Sequence, residues 1–233
     1  MLFLNPPHTL DELIKRARDL SGKTLSELSV LAGEKAPPDN LKQAKGWIGQ
    51  LIERHLGAFG GSLPRVDFPN LGIELKTIPC DGQGRPKEST FVCSVVYPLS
   101  GPSSGMKEMD WDNSLVKRKL SHVLWVPVID AGGEDKHIIA KRRVGNPHLW
   151  EMDLETENIL KQDWEELMEL LSFGKFASIS ARIGRYLQLR PKAAHSRILR
   201  PQINEASELS LTCPKGFYLR TLFTRQLLKS FYL

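Results

Sequence analysis

Trp47, Ile48, Leu51, Ile52 and Leu56 recur at the period of an α-helix, with polar residues between them. They predict a helix over residues 41–56, closed by Gly57, the residue type that most readily takes a left-handed cap conformation. Upstream, Thr9 and Thr24 each stand three residues before a glutamate, Glu12 and Glu27. That spacing is the capping box, so short helices are expected over 10–20 and 25–33. The breaker APPDN at 36–40 separates them from the longer helix.

After the flexible loop GAFGGSLPR the period changes. Strands are expected at 72–79, 89–98, 122–130 and 137–144, with Gly-rich turns between the first two and the last two. A helix follows over roughly 156–172, then a strand or hairpin within 179–191, a short strand at 215–220 and a terminal helix over 221–233. No repeat, low-complexity tract or inter-domain linker interrupts the pattern. The expected architecture is a mixed α/β fold in a single domain, 1–233, with helices at both ends of a central set of strands.

One strand carries charges. In VDFPNLGIELKTIP (66–79), Ile73 and Leu75 share one face of the strand with Thr77, and Glu74 and Lys76 share the other. The apolar face belongs to the core, so the charged face is the open one. It is either solvated or chemical. The chemical reading is phosphodiester cleavage: Asp67 and Glu74 supply hard oxygen ligands for Mg²⁺, and Lys76 stabilises charge at the phosphate. The pattern D-x6-E-x-K is weak alone, since Glu134 and Lys136 repeat E-x-K behind Asp130 in a Gly-rich turn without an apolar strand.

Composition narrows the choice. The 233 residues are 41% hydrophobic and 25% charged, ordinary for a soluble protein. No run approaches the ~18 apolar residues of a membrane span, and MLFLNPPHTL lacks a basic n-region, so neither membrane nor export is expected. Three scattered cysteines form no disulfide framework, which fits a reducing cytoplasm. No histidine pair has zinc spacing, and no Gly-rich loop has the strand–loop–helix context of a P-loop. The net charge of +5 suits a polyanionic partner. Basic clusters recur at 116–120, 140–145, 190–200 and 218–225, while acids concentrate in 151–170, as a DNA-facing side and a solvent-facing back require.

The charged strand and several other segments, in the same order, resemble the MutH family of mismatch-repair endonucleases. They include KGWIGQLIERHLGA (45–58), GRPKESTFVC (84–93), KLSHVLWVPV (119–128), KRRVGNPHLW (141–150), DWEELMELLSFG (163–174), YLQLRPKAA (186–194) and PKGFYLRTLFT (214–224). The resemblance implies a restriction-endonuclease-like fold. A central mixed sheet would be flanked by helices, with an N-terminal catalytic lobe and a C-terminal DNA-reading lobe around a DNA cleft. It implies Mg²⁺-dependent nicking of the unmethylated strand at hemimethylated GATC sites by a monomer. MutL would be the activating partner, with MutS acting indirectly.

By the same resemblance, Asp67 and Glu74 are metal ligands, Lys76 is the catalytic lysine, and Glu53 is the helix glutamate that joins them. Gly49, one turn before Glu53, would let a strand or the DNA backbone come close. Lys45 and Lys119 match positive positions near the DNA cleft. Arg190 and Lys192 match target-reading positions, where each can bond guanine O6/N7 or a phosphate. Tyr218 matches the tyrosine that senses adenine methylation. Two departures stand out: Val66 precedes Asp67 where the superfamily motif has proline, and Phe59 is bulky for its loop. The rival readings are a GATC-specific restriction endonuclease and a non-cleaving methylation-sensitive DNA-binding module.

Overall fold

The computed structural model describes residues 4–34, 36–58, 64–95, 110–173, 175, 179, 182–192, 200–203 and 209–231. They group into two compact units. The first comprises Met1–Glu88, Ser121–Glu151 and Leu227–Leu233, and the second Ser89–Leu120 and Met152–Gln226.

Unit 1 opens with helices α1 (Leu10–Leu20), α2 (Leu25–Leu31) and α3 (Leu41–Leu56). Thr24 and Glu27 form the complete capping box expected at α2. At α1 the Thr9 hydroxyl accepts the Glu12 N–H as expected, but the Glu12 carboxylate accepts from the His8 N–H instead of Thr9. Gly57 caps α3 with φ 75°, and the N–H of Ala58 reaches back to the Glu53 carbonyl at 2.9 Å. A second constraint meets at this glycine: the Arg16 guanidinium bridges the carbonyls of Asn5 and Leu56, and a Cβ on residue 57 would run into both Asn5 and Arg16.

The sheet of unit 1 is built on β3 (His122–Ile129). Strand β1 (Glu74–Cys80) pairs with it in parallel, while β4 (Arg143–Val144) and β5 (His148–Glu151) pair with it antiparallel at its two ends. Leu51, Ile52 and Leu56 of α3 join Ile73, Leu75, Leu124 and Val126 in one apolar cluster with α1 and α2. The expected open face of β1 is not open. Glu74 is 2% exposed and Lys76 9%, so the strand is buried on both faces, as a strand in parallel pairing usually is. The strand expected at 137–144 shrinks to two residues, because Gly133–His137 and Ile139–Lys141 coil as 3-10 turns. Glu134 and Lys136 lie exposed there, away from any strand.

Unit 2 contains β2 (Thr90–Ser94), α4 (Leu115–Leu120), α5 (Leu154–Ser172), β6 (Leu187–Pro191), the hairpin β7 (Arg200–Ile203) and β8 (Leu209–Thr212), and β9 (Lys215–Leu219). Helix α6 (Thr221–Ser230) follows. Strands β2, β9 and β6 form an antiparallel sheet in that order. Leu187, Leu189, Phe217 and Leu219 fill its buried face, and α5 packs against β6. Neither α4, β5 nor the β7–β8 hairpin was expected from periodicity. Among the described residues no helix is long and apolar enough to cross a membrane.

Replacing Gly57 by alanine is predicted to destabilise the protein by about 1–2 kcal/mol from the backbone conformation alone, with the collision at Asn5 adding to it. A urea midpoint equal to that of the parent would contradict this account of the α3 cap.

Candidate active site

The seven-residue separation of Asp67 and Glu74 follows from a hairpin. Phe68 and Ile73 form an isolated antiparallel bridge, exchanging N–H···O bonds of 2.8 and 3.2 Å around the turn Pro69–Gly72. Gly72 supplies the positive φ of 69° that closes it. The register of that bridge sets Asp67 across from Glu74 at the next step. Asp67 is nearly buried, and its Oδ2 accepts the N–H of Leu75 at 2.8 Å. The carboxylate therefore caps the edge of β1 between Glu74 and Lys76. Val66 is buried, and the Asp67–Leu75 bond forms with valine in the position of the motif's proline.

Glu74 and Lys76 face the same way and form an ion pair. Their register partners on β3 are Val123 and Trp125, both fully buried. Withdrawing each charge from water costs several kcal/mol, and the pair recovers this only by staying together. Poor screening also strengthens any field the pair exerts on a ligand.

Two carboxylates beside one ammonium suit a divalent cation. Among the described residues no group of three or more His, Cys, Asp and Glu converges. Mg²⁺ needs no such cage, since it commonly binds through one or two carboxylates and completes its shell with water and substrate phosphate. The donor set fits that habit.

Glu53 lies half-buried in the last turn of α3, the helix that packs against β1. A Cβ at Gly49 would meet nothing within 4 Å among the described residues, so no described strand presses on that glycine. Lys45 belongs to α3, but its side chain lies outside the described part of the structure. The loop residue Phe59 also lies outside it. Lys119 is a buried residue of α4, in unit 2.

The other expected residues meet on one face of the unit 2 sheet. Tyr218 pairs with Phe91 on one side and Gln188 on the other. A register shift between Phe91 and Cys93 returns Ser94 to the same face as Phe91. Lys192 Nζ donates to Ser94 Oγ at 2.7 Å and lies 4.1 Å from the Phe91 ring centroid. Arg190 donates to Ser89 Oγ, and its guanidinium lies 5.9 Å from the Tyr218 ring centroid. The two rings meet edge to face at 5.2 Å. A side chain at Gly216 would strike Phe91 Cε2 at 2.8 Å, which explains a glycine between the rings. This face therefore presents two cations resting on two aromatic rings, suited to an anionic, stackable ligand. Sequence reasoning missed Phe91, Ser89 and Ser94, because strict alternation puts Phe91 and Ser94 on opposite faces.

Known proteins share this pattern along most of their length. A family model described as the DNA mismatch repair enzyme MutH matches residues 56–163, the segment holding Asp67, Glu74 and Lys76. The DNA mismatch repair protein MutH of Shewanella baltica strain OS185 is 50% identical over 223 residues, covering 96% of each chain. That of Escherichia coli O6:K15:H31 is 50% identical over 231 residues, 99% of this chain and 96% of the relative. That of Vibrio parahaemolyticus is 50% identical over 227 residues, 97% and 96% of the two chains. The chain belongs to the MutH family. MutH proteins are DNA mismatch-repair endonucleases of restriction-endonuclease-like fold, so the mixed α/β architecture expected from the sequence is found.

Replacing Lys76 by methionine would leave the buried Glu74 carboxylate without its ammonium. The predicted cost is about 3–5 kcal/mol, and Glu74→Gln added to Lys76→Met should recover most of it. Chemical denaturation of both variants checks this; a single variant as stable as the parent would contradict the ion-pair account.

Proposed function

We propose that this MutH-family chain nicks the unmethylated strand of hemimethylated GATC sites in a Mg²⁺-dependent reaction. The reading is carried by one observation: two carboxylates and a lysine gathered at the start of β1 within an apolar wall. Asp67 and Glu74 would hold the metal. When bound, Mg²⁺ supplies Lewis-acid activation of the scissile phosphate and a water of lowered pKa. The Lys76 ammonium stabilises negative charge that grows on the phosphoryl oxygens as the bond breaks. Glu53 completes the acidic set from α3.

Lys45 and Lys119 bind the DNA backbone. Arg190 and Lys192 exchange their serine partners for guanine O6/N7 or a phosphate. Tyr218 senses the adenine: N6-methylation removes one donor hydrogen and adds an apolar group, so a ring packed at that edge distinguishes the two states sterically. The enzyme acts in the cytoplasm as a monomer, within a single endonuclease domain of a catalytic and a DNA-reading lobe over 1–233. Its partner is MutL, which activates it after MutS finds a mismatch.

Incubation with Mg²⁺ and plasmids carrying unmethylated, hemimethylated or fully methylated GATC, with and without MutL and ATP, tests this reading. Strand-specific nicking stimulated by MutL supports it. Double-strand cleavage without MutL points to a restriction enzyme, and DNA binding without cleavage to a non-catalytic module. Glu74→Ala is predicted to lower nicking by about 100-fold or more while leaving DNA affinity in Ca²⁺ within a few-fold. Full activity in that variant contradicts the metal assignment. Tyr218→Ala should shrink the ratio of nicking rates on hemimethylated and fully methylated DNA; an unchanged ratio removes the methyl-sensing role.

A further inference from the structure

Asp163 is an aspartate in the middle of a helix, and it is only 5% exposed. Aspartate is a poor helix former, and a buried carboxylate is costly unless several donors meet it. Here three do, all backbone N–H groups of consecutive residues. Oδ1 accepts from Arg185 at 2.7 Å, and Oδ2 accepts from Tyr186 at 2.6 Å and from Leu187 at 2.8 Å. Successive N–H groups converging on one anion form a nest, a concavity built for negative charge. Gly184 opens it with φ 83°, and a Cβ there would strike the Leu187 carbonyl and crowd the Asp163 carboxyl carbon.

The cradled segment runs directly into β6. Arg220 grips its other side, its backbone N–H donating to the Tyr186 carbonyl at 2.8 Å and its Nη2 to the Ile183 carbonyl at 2.8 Å. From there β6 pairs with β9, and the Lys192 N–H closes the far end on the Pro214 carbonyl at 2.7 Å. Leu187 is thus both a rung of the nest and the first residue of the strand. At about 3.3 Å per residue, Arg190 lies roughly 10 Å further along. A strand that slips by one residue exchanges its faces. Leu189 would then take the place of Arg190, and the cations would leave the Phe91–Tyr218 surface.

We infer that Asp163 is a positioning residue for DNA reading: its carboxylate anchors the start of β6 and so fixes Arg190 and Lys192 over the aromatic face. This rests on the proposed role of that face in reading GATC. An asparagine here would turn a donor toward at least one backbone N–H of the nest. A glutamate would keep the charge but displace it by one methylene.

The test is a mutant cycle on the full chain. Nicking kcat/KM is measured on a GATC duplex and on duplexes with one base pair changed, for Asp163→Asn and Asp163→Glu. Each is studied alone and combined with Arg190→Ala/Lys192→Ala, below the melting temperature of every variant. A misplaced reading strand predicts that the Asp163 variants lose about 10- to 100-fold in kcat/KM on GATC and much of their preference for it. In the Arg190→Ala/Lys192→Ala background the same changes should cost less than about 2-fold, because the groups they position are gone. The glutamate variant, which keeps an anion in the nest, carries the test if the asparagine variant does not fold. Equal losses in both backgrounds, or a lowered melting temperature with selectivity intact, overturn the inference. If Arg190→Ala/Lys192→Ala alone reads GATC as well as the parent, the reading role of the face has failed, and the inference falls with it.

Discussion

Glu74 and Lys76 sit almost out of water, and neither charge is tolerable there without the other. Much of unit 1 holds this pair in place. The parallel pairing of β1 with β3 sets Val123 and Trp125 beside it. The helices seal the opposite face by burying Ile73 and Leu75. The Phe68–Ile73 hairpin swings Asp67 onto the strand edge, where the Leu75 N–H fixes it. A metal ligand would need a defined direction as well as a charge, and here the Leu75 N–H orients the Asp67 carboxylate and the Lys76 ammonium that of Glu74.

Unit 2 meets a different demand with similar means. The cations of its Phe91–Tyr218 face are held by serine hydroxyls and ring faces. The strand beneath them is held firmly. A buried carboxylate and three backbone donors fix its start, and the β9 ladder fixes its length. Exposed side chains on a fixed backbone can exchange partners with little rearrangement, as the proposed reading of DNA by this face would require.

Where the sequence was legible, a local rule decided the outcome. The stripe Trp47–Leu56 and Gly57 marked α3 and its cap, and Thr24 with Glu27 marked α2, because propensity and capping are short-range. Asp67, Glu74 and Lys76 could be grouped because strand alternation and one tight turn relate them. Where a tertiary contact decided, the pattern misled or was silent. The charged face of β1 looked open because alternation says which residues share a face, not what covers it. The run 137–144 looked like a strand, but Ile139–Lys141 within it coils as a 3-10 turn instead. The bulge that unites Phe91 with Ser94 has no signature in the residues themselves. Asp163 read as one more acid on a solvated helix, since its donors lie 22 to 24 residues away.

The central claim is that Asp67 and Glu74 form a metal site on β1. Calorimetric titration of Ca²⁺, which avoids turnover, into the complex with a hemimethylated GATC duplex tests it most directly. The account predicts saturable binding by the parent chain and its loss in Asp67→Asn, with DNA still bound. Equal Ca²⁺ affinity in the two proteins would contradict it.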